Sequence, residues 1–222
     1  IKEKKSSMSL YYEVNRDLAF ETAAKAKRER VKQFIYISSM SVYGVDSGII
    51  THDTVPLPKT VYGKSKLAGE KLISELADST YKVAVLRPPM VYGNGCKGNY
   101  TRLFGLTLKI NIFPYVENAR SMIYIYNLCE FIRQLIDSGD GGVFFPQNEE
   151  YVCTSEMVKL IGRANGRNIR LVKGFSLLLT LFKKGVMGKM FGSLVYEKSL
   201  SQGEKKYCLY SLEQSILAVK EV

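Results

Sequence analysis

Tyr62 and Lys66 stand four residues apart in Tyr62-Gly63-Lys64-Ser65-Lys66, and a hydroxyl pair, Ser38-Ser39, precedes them at the end of an apolar run. On a helix that spacing puts both side chains on one face, an ammonium beside a phenol. A phenol titrates near pH ~10, and bringing it to neutrality takes roughly 4 kcal/mol, toward which a neighbouring cation contributes. With a serine hydroxyl to steady a substrate oxygen, the set can pass a proton while a hydride leaves for another acceptor. That is redox chemistry. Tyr-x-x-x-Lys also recurs by chance as a surface aromatic and a solvated lysine, so its weight comes from what surrounds it.

The surroundings alternate between helices and buried strands. Asn15 opens a helical pattern with Leu18, Ala19, Thr22, Ala23 and Ala26 inward, and Phe34 to Ile37 then form a continuous apolar run, as a buried parallel strand would. A second step follows: a helix from about Val61 to Leu76 with Leu67, Leu72, Ile73 and Leu76 inward, then a strand at Val83 to Leu86 stopped by Pro88 and Pro89. Further on come a helix near Tyr100 to Lys109, strands near Ile112, Met122 to Ile125 and Val143 to Phe145, and a helix from Thr154 or Ser155 closed by Gly166. Asn127 caps a helix whose inward face is Leu128, Phe131, Ile132, Leu135 and Ile136, and Ser211 with Gln214 forms a capping box. The pattern predicts an α/β protein, a partial doubly wound, Rossmann-like parallel sheet with a smaller C-terminal α/β lobe. Ligands of such sheets bind beyond the carboxyl ends of the strands, where Ser38, Ser39 and Arg87-Pro88-Pro89-Met90 fall.

Composition narrows the partners. Thirty-two Lys and Arg against 21 Asp and Glu give a formal charge of +11, which attracts anions such as phosphates. Cys96, Cys129, Cys153 and Cys208 form no Cys-x-x-Cys pair and His52 is the single histidine, so neither a metal site nor a disulfide scaffold is expected. No run reaches the ~18 apolar residues of a membrane span and no leader opens the chain, so the expected location is cytoplasmic. Ile1-Lys2-Glu3-Lys4-Lys5 reads as a cut within a longer protein.

Four ordered segments, Tyr-Tyr-Glu-Val-Asn at 11–15, Phe-Ile-Tyr-Ile-Ser-Ser-Met-Ser-Val-Tyr-Gly at 34–44, Tyr-Gly-Lys-Ser-Lys at 62–66 and Leu-Arg-Pro-Pro-Met-Val-Tyr-Gly at 86–93, carry a resemblance. The chain resembles the NAD-dependent epimerase/dehydratase branch of the extended short-chain dehydrogenases/reductases, which acts on nucleotide sugars. The resemblance implies NAD as cofactor and Ser39, Tyr62 and Lys66 as catalytic residues, with Lys66 also holding the nicotinamide ribose. It places Asn15, Ser38, Pro89 and Met90 near the cofactor, and it assigns Asn99 and Arg120 to the diphosphate and Phe113 to the base of a UDP-linked sugar. It implies residues 1–95 as the C-terminal half of the NAD-binding domain and 96–222 as the substrate lobe, with returns to the sheet.

Three departures refine this. The family's Gly-rich phosphate turn belongs roughly 80 residues before Asn15, where 14 residues stand, so the isolated chain is expected not to bind NAD tightly. Met90 occupies a position where many relatives carry a substrate-binding Asn. Met40 and Ser41 replace the Asp-Glu pair that 4,6-dehydratases use to eliminate water, which favours a nucleotide-sugar 4-epimerase, with a C4 reductase as the alternative. An inactive fragment or a basic anion-binding module are the remaining readings, nucleic acid having no reading motif behind it. Residues 175–195 mix leucines with lysines, which suits either a helix over the substrate lobe or a peripheral membrane contact. A homodimer is left open.

Overall fold

A computed structural model describes residues 5–174, 191–201 and 206–219. The chain divides into two compact units, one made of 1–45, 52–89 and 132–146, the other of 46–51, 90–131 and 147–222.

The first unit begins with helix α1 (Lys5–Tyr12), which runs through a π-helical stretch (Glu13–Leu18) into α2 (Ala19–Arg28). The helix therefore does not start at Asn15, which lies inside it. The wider π turn also shifts the phase of the apolar face. Leu18, expected inward, is 56% exposed, whereas Ala23 is fully buried. Strand β1 (Gln33–Ile37) follows, then a 3-10 turn over Met40–Tyr43.

Strand β2 (Gly48–Ile50) belongs to the second unit, after which α3 (Val61–Ser74) and β3 (Lys82–Leu86) complete the second αβ step of the first. Thr60 caps α3 by accepting from the Gly63 amide at 3.0 Å. β1 pairs in parallel with β3, and β3 in parallel with a strand at Gly142–Phe144, giving one three-stranded parallel sheet. Its core gathers Ala23, Tyr36, Ile73, Tyr81, Val83 and Val85. Burying an aliphatic side chain of this kind contributes about 1.5–3 kcal/mol.

The second unit holds β4 (Met90–Tyr92), α4 (Asn99–Thr107), β5 (Ile112–Pro114) and β6 (Met122–Tyr124), and α5 (Ile125–Ser138) leads from β6 toward β7 (Gly142–Phe144). Then come α6 (Thr154–Ala164), β8 (Arg170–Val172), β9 (Leu194–Tyr196) and α7 (Leu212–Ala218). Its strands join as parallel pairs, β2 with β9, β4 with β6 and β5 with β8. Gly166, with φ of 67°, closes α6, and Ser211 and Gln214 complete both bonds of the capping box that starts α7.

Asn127 does not cap α5. It sits within the first turn, fully buried, where its amide donates to Asn148 Oδ1 and the Tyr210 carbonyl and its oxygen accepts from the Tyr210 amide. Leu128 and Leu135 face inward as expected, but Ile136 is 59% exposed. The arrangement is the α/β fold that the alternation predicts. Nearly all of the 175–195 segment lies outside the described residues, and no described helix is long and apolar enough to cross a membrane.

Candidate active site

The site in the first unit is built at the carboxyl end of β1. Ser38 and Ser39 follow the strand directly, held there by the Ser38 amide donating to the Leu86 carbonyl at 2.7 Å and the Met40 amide to the Pro88 carbonyl at 2.9 Å. Ser39 is the extended residue that caps the 3-10 turn, its Oγ accepting from the Ser41 amide at 3.1 Å. The same hydroxyl acts on the phenol of Tyr62, favouring its ionised form. The turn it begins packs against α3 at Gly63, where an added Cβ would lie 2.5 Å from the Ser41 carbonyl oxygen.

Burial pushes the Tyr62 phenol above its ordinary value, the Ser39 hydroxyl works to lower it, and Tyr11, edge-on at 5.9 Å between ring centroids, adds a further upward push. Lys66, one turn further along α3, is anchored on the strand. Lys66 Nζ donates to the Ile37 carbonyl at 2.9 Å and lies 4.9 Å above the Tyr36 ring. Burial pulls Lys66 below its ordinary value and Glu70 opposes the pull.

Glu70 is the residue that sequence reasoning missed. Ile73 is buried and Leu76 packs on the core as expected, but Leu67 and Leu72 are only half-buried, and Gly63, Ser65, Gly69 and Glu70 take the inward face. Glu70, 4% exposed, accepts from Ser38 Oγ and from Arg87, whose Nη2 approaches at 2.6 Å. Arg87 donates onward to the Tyr43 hydroxyl at 2.9 Å. A glutamate four residues after Lys66, on the same helical face, and an arginine directly after a buried strand were the available signals.

Asn15 joins the same unit through α3, its amide donating to Ser65 Oγ at 3.0 Å and its carbonyl accepting from the Tyr36 hydroxyl at 2.6 Å. This close approach needs Gly69, where a Cβ would lie 2.3 Å from the Asn15 carbonyl oxygen. Pro89 is buried at the end of the β3 segment, while Met90 begins β4 in the second unit and packs on that unit's core.

The second unit places the remaining residues. Asn99 is the first residue of α4, where helix N–H groups favour an anion. Arg120 donates to the Gly192 carbonyl at 2.8 Å, and its buried Nε has no hydrogen-bond partner. Burial lowers its pKa, opposed by Asp46. Phe113, expected beside a base, is buried, 3% exposed, with its ring 5.9 Å from that of Phe191. His52, in a turn, stands 3.7 Å from Asp53 with both side chains more than nine-tenths exposed, and the described residues contain no metal-holding cluster.

Residues 1–146 match the NAD dependent epimerase/dehydratase family. The chain belongs to that family. It is 33% identical over 195 residues to a UDP-glucose 4-epimerase from Vibrio cholerae, a match covering 83% of this chain and 58% of that enzyme. It is 30% identical over 133 residues to N-acetyl-alpha-D-glucosaminyl-diphospho-ditrans,octacis-undecaprenol 4-epimerase from Escherichia coli O157:H7, covering 58% of this chain and 40% of that one. The matched part is thus less than two thirds of either relative. Among solved structures, UDP-Glucuronic acid 4-epimerase from Bacillus cereus in complex with NAD shares the fold at a TM-score of 0.73 and 19% identity, covering 99% of this chain and 70% of that chain. A dTDP-4-dehydrorhamnose reductase from Bacillus anthracis str. Ames in complex with NADP does so at 0.71 and 19%, covering 97% and 76%.

A family described as NAD dependent invites a test of the residues against a nicotinamide nucleotide. Lys66 fits: half-buried, it spends one N–H on Ile37, and its other two meet no acceptor among the described residues. Such a cation suits a pair of ribose hydroxyls. Ser38 fits less well, because its hydroxyl is committed to Glu70 and its amide to Leu86.

Proposed function

We propose that the protein containing this chain is an NAD-dependent nucleotide-sugar 4-epimerase, oxidising and re-reducing the sugar C4 hydroxyl. The observation that carries the reading is the packing of the Ser39 turn against the helix that bears Tyr62, with the Lys66 ammonium anchored on the last residue of the strand that leads into Ser39. The identity with the Vibrio cholerae enzyme supports the substrate class.

In this reading Tyr62 takes the proton from the C4 hydroxyl and returns it, while Ser39 donates to the same oxygen as it becomes a ketone. Lys66 holds the ribose of the cofactor. When bound, NAD supplies the hydride acceptor and donor at C4. With burial raising it, the phenol stays protonated at neutral pH in the unliganded chain, so charge and donors that arrive on binding must provide at least ~4 kcal/mol for it to act as a base. Residues 1–95 serve the cofactor and 96–222 the substrate, apart from the return through β7 that joins the first unit's sheet.

Arg120 is read as the grip on a diphosphate, its unpartnered Nε being the donor still to be satisfied. Asn99 at the start of α4 serves the same anion. A second reading follows from the Escherichia coli relative, whose sugar is carried on diphospho-undecaprenol. Both carriers present a diphosphate, and the guanidinium serves either.

The deciding experiment incubates the full-length protein separately with UDP-glucose, UDP-N-acetylglucosamine and polyprenyl-diphospho-N-acetylglucosamine and resolves the products by NMR. A C4 epimer from a UDP-sugar supports the proposal, and one from the polyprenyl substrate alone selects the second reading. Stoichiometric consumption of added NADH indicates a reductase, and a 4-keto-6-deoxy sugar contradicts the reading.

A further inference from the structure

The Glu70 carboxylate collects contacts from two other segments of the first unit. From α3 it reaches Ser38 at the end of β1 and takes Arg87, just past β3, through Nε at 3.1 and 3.2 Å and through Nη2 at 2.6 Å. Arg87 is itself fixed, its amide donating to the Phe144 carbonyl of β7 at 2.8 Å and its Nη1 to the Tyr43 hydroxyl at 2.9 Å. Tyr43 ends the 3-10 turn that Ser39 begins. Ser39 is therefore flanked by two residues tied to one ion pair: Ser38 on the strand side, through Glu70, and Tyr43 on the turn side, through Arg87.

A pair this deeply buried gives little net stability, because taking two charges out of water offsets their attraction. Its value lies in direction. A planar fork gripping a carboxylate fixes both distance and angle, and here it fixes α3, which carries Tyr62 and Lys66, against the segment that carries Ser39. We infer that the Glu70–Arg87 ion pair is the positioning clamp that holds Ser39 in register with Tyr62 and Lys66. Neither residue is assigned contact with substrate or cofactor. The clamp's part in catalysis rests on the epimerase reading above, whereas its mechanical part does not.

The test separates the two. Glu70→Gln leaves a buried guanidinium uncompensated and risks unfolding, so the informative variant is the double replacement Glu70→Leu with Arg87→Met, which removes both charges and keeps the volume. In the full-length protein this variant is expected to melt within a few degrees of the wild type. Hydrogen exchange followed by mass spectrometry is expected to show residues 38–44 exchanging about tenfold faster or more, with 83–86 unchanged. The kcat for epimerisation is expected to fall about 100-fold with KM within about threefold, the signature of misplacement.

Wild-type protection across 38–44 in the double variant overturns the clamp, whatever the activity. So does loss of protection spread evenly over the sheet, which describes a purely structural pair, and so does wild-type kcat in a folded double variant. Tyr62→Phe serves as the control on the underlying reading. If it epimerises as fast as the wild type, the redox assignment fails while the exchange result still decides the clamp.

Discussion

Lys66 donates to the carbonyl of Ile37 at 2.9 Å, tying the helix that carries Tyr62 to the last residue of the strand that leads into Ser39. A one-turn spacing on α3 and a strand end are thereby converted into one site. The ammonium's first duty is to hold the helix on the sheet, with two N–H groups still to give.

Tyr62→Phe removes the proton carrier while keeping the ring that meets Tyr11 edge-on. In the full-length protein kcat is expected to fall about 10²–10⁴-fold with KM nearly unchanged, as for loss of general acid–base catalysis. Steady-state kinetics with an unchanged circular dichroism spectrum checks this, and a loss below about tenfold counts against the role.

Gly63→Ala couples packing to chemistry. A Cβ there would meet the Ser41 carbonyl oxygen at 2.5 Å and Pro58 Cβ at 3.1 Å, forcing the Ser39 turn away from the helix. Overpacking of this kind costs about 1–3 kcal/mol. Thermal unfolding should report that loss, accompanied by a fall in kcat larger than the loss of folded protein explains. Gly69→Ala, crowding the Asn15 carbonyl and the Tyr36 hydroxyl, is expected to destabilise to a similar degree.

Buried phenols set the alkaline limit. Burial raises Tyr36, Tyr100 and Tyr207, and lifts Tyr92 to about 12 although Ser215 and Asn148 bond its hydroxyl. A group whose folded pKa exceeds its unfolded value binds its proton more tightly in the native state, so its stabilisation is complete below pH ~10 and is lost as pH rises through the folded pKa. Denaturant melts between pH 7.5 and 11.5 are expected to show stability beginning to fall past about pH 9, where burial lifts the Cys208 thiol to about 11, and falling more steeply beyond about pH 10. Tyr92→Phe should flatten part of that fall, and stability rising above pH 10 would contradict it.

Ser211→Ala breaks the capping box that starts α7, in which Ser211 accepts from the Gln214 amide and Gln214 from the Ser211 amide. The expected cost is about 0.5–2 kcal/mol, read by chemical denaturation. Because α7 sends Ile216 into the second unit's core, loosened hydrogen exchange should spread through that unit and leave 82–86 as in the wild type.

Much of this was readable in the chain. Apolar runs bounded by Pro88 or by hydroxyls gave β1 and β3 within a residue, because buried parallel strands need continuous hydrophobicity. That Ser39 falls at a strand end and Tyr62 and Lys66 one turn apart on a helix was visible because helix and strand periodicities fix where such side chains fall. What escaped was tertiary. Periodicity ranks Leu67 and Leu72 as inward, and it cannot foresee that Arg87, distant in sequence, makes burial of Glu70 affordable and turns the polar face of α3 to the sheet. Nor does a pattern of i and i+4 reveal a π turn, which is why Asn15 was read as a helix start and Leu18 as core. Asn127 was misplaced for a related reason: an Asn before an apolar run caps a helix or fills a buried polar network equally well.

The most direct measurement of the central claim follows the hydrogen on C4. UDP-glucose deuterated at C4 is incubated with the full-length protein, and the product is examined by NMR and mass spectrometry. The Ser39–Tyr62–Lys66 account predicts the C4 epimer with deuterium retained at C4, and no such product from Tyr62→Phe. Deuterium washed out to solvent, or an epimer formed equally well without the Tyr62 hydroxyl, would contradict it.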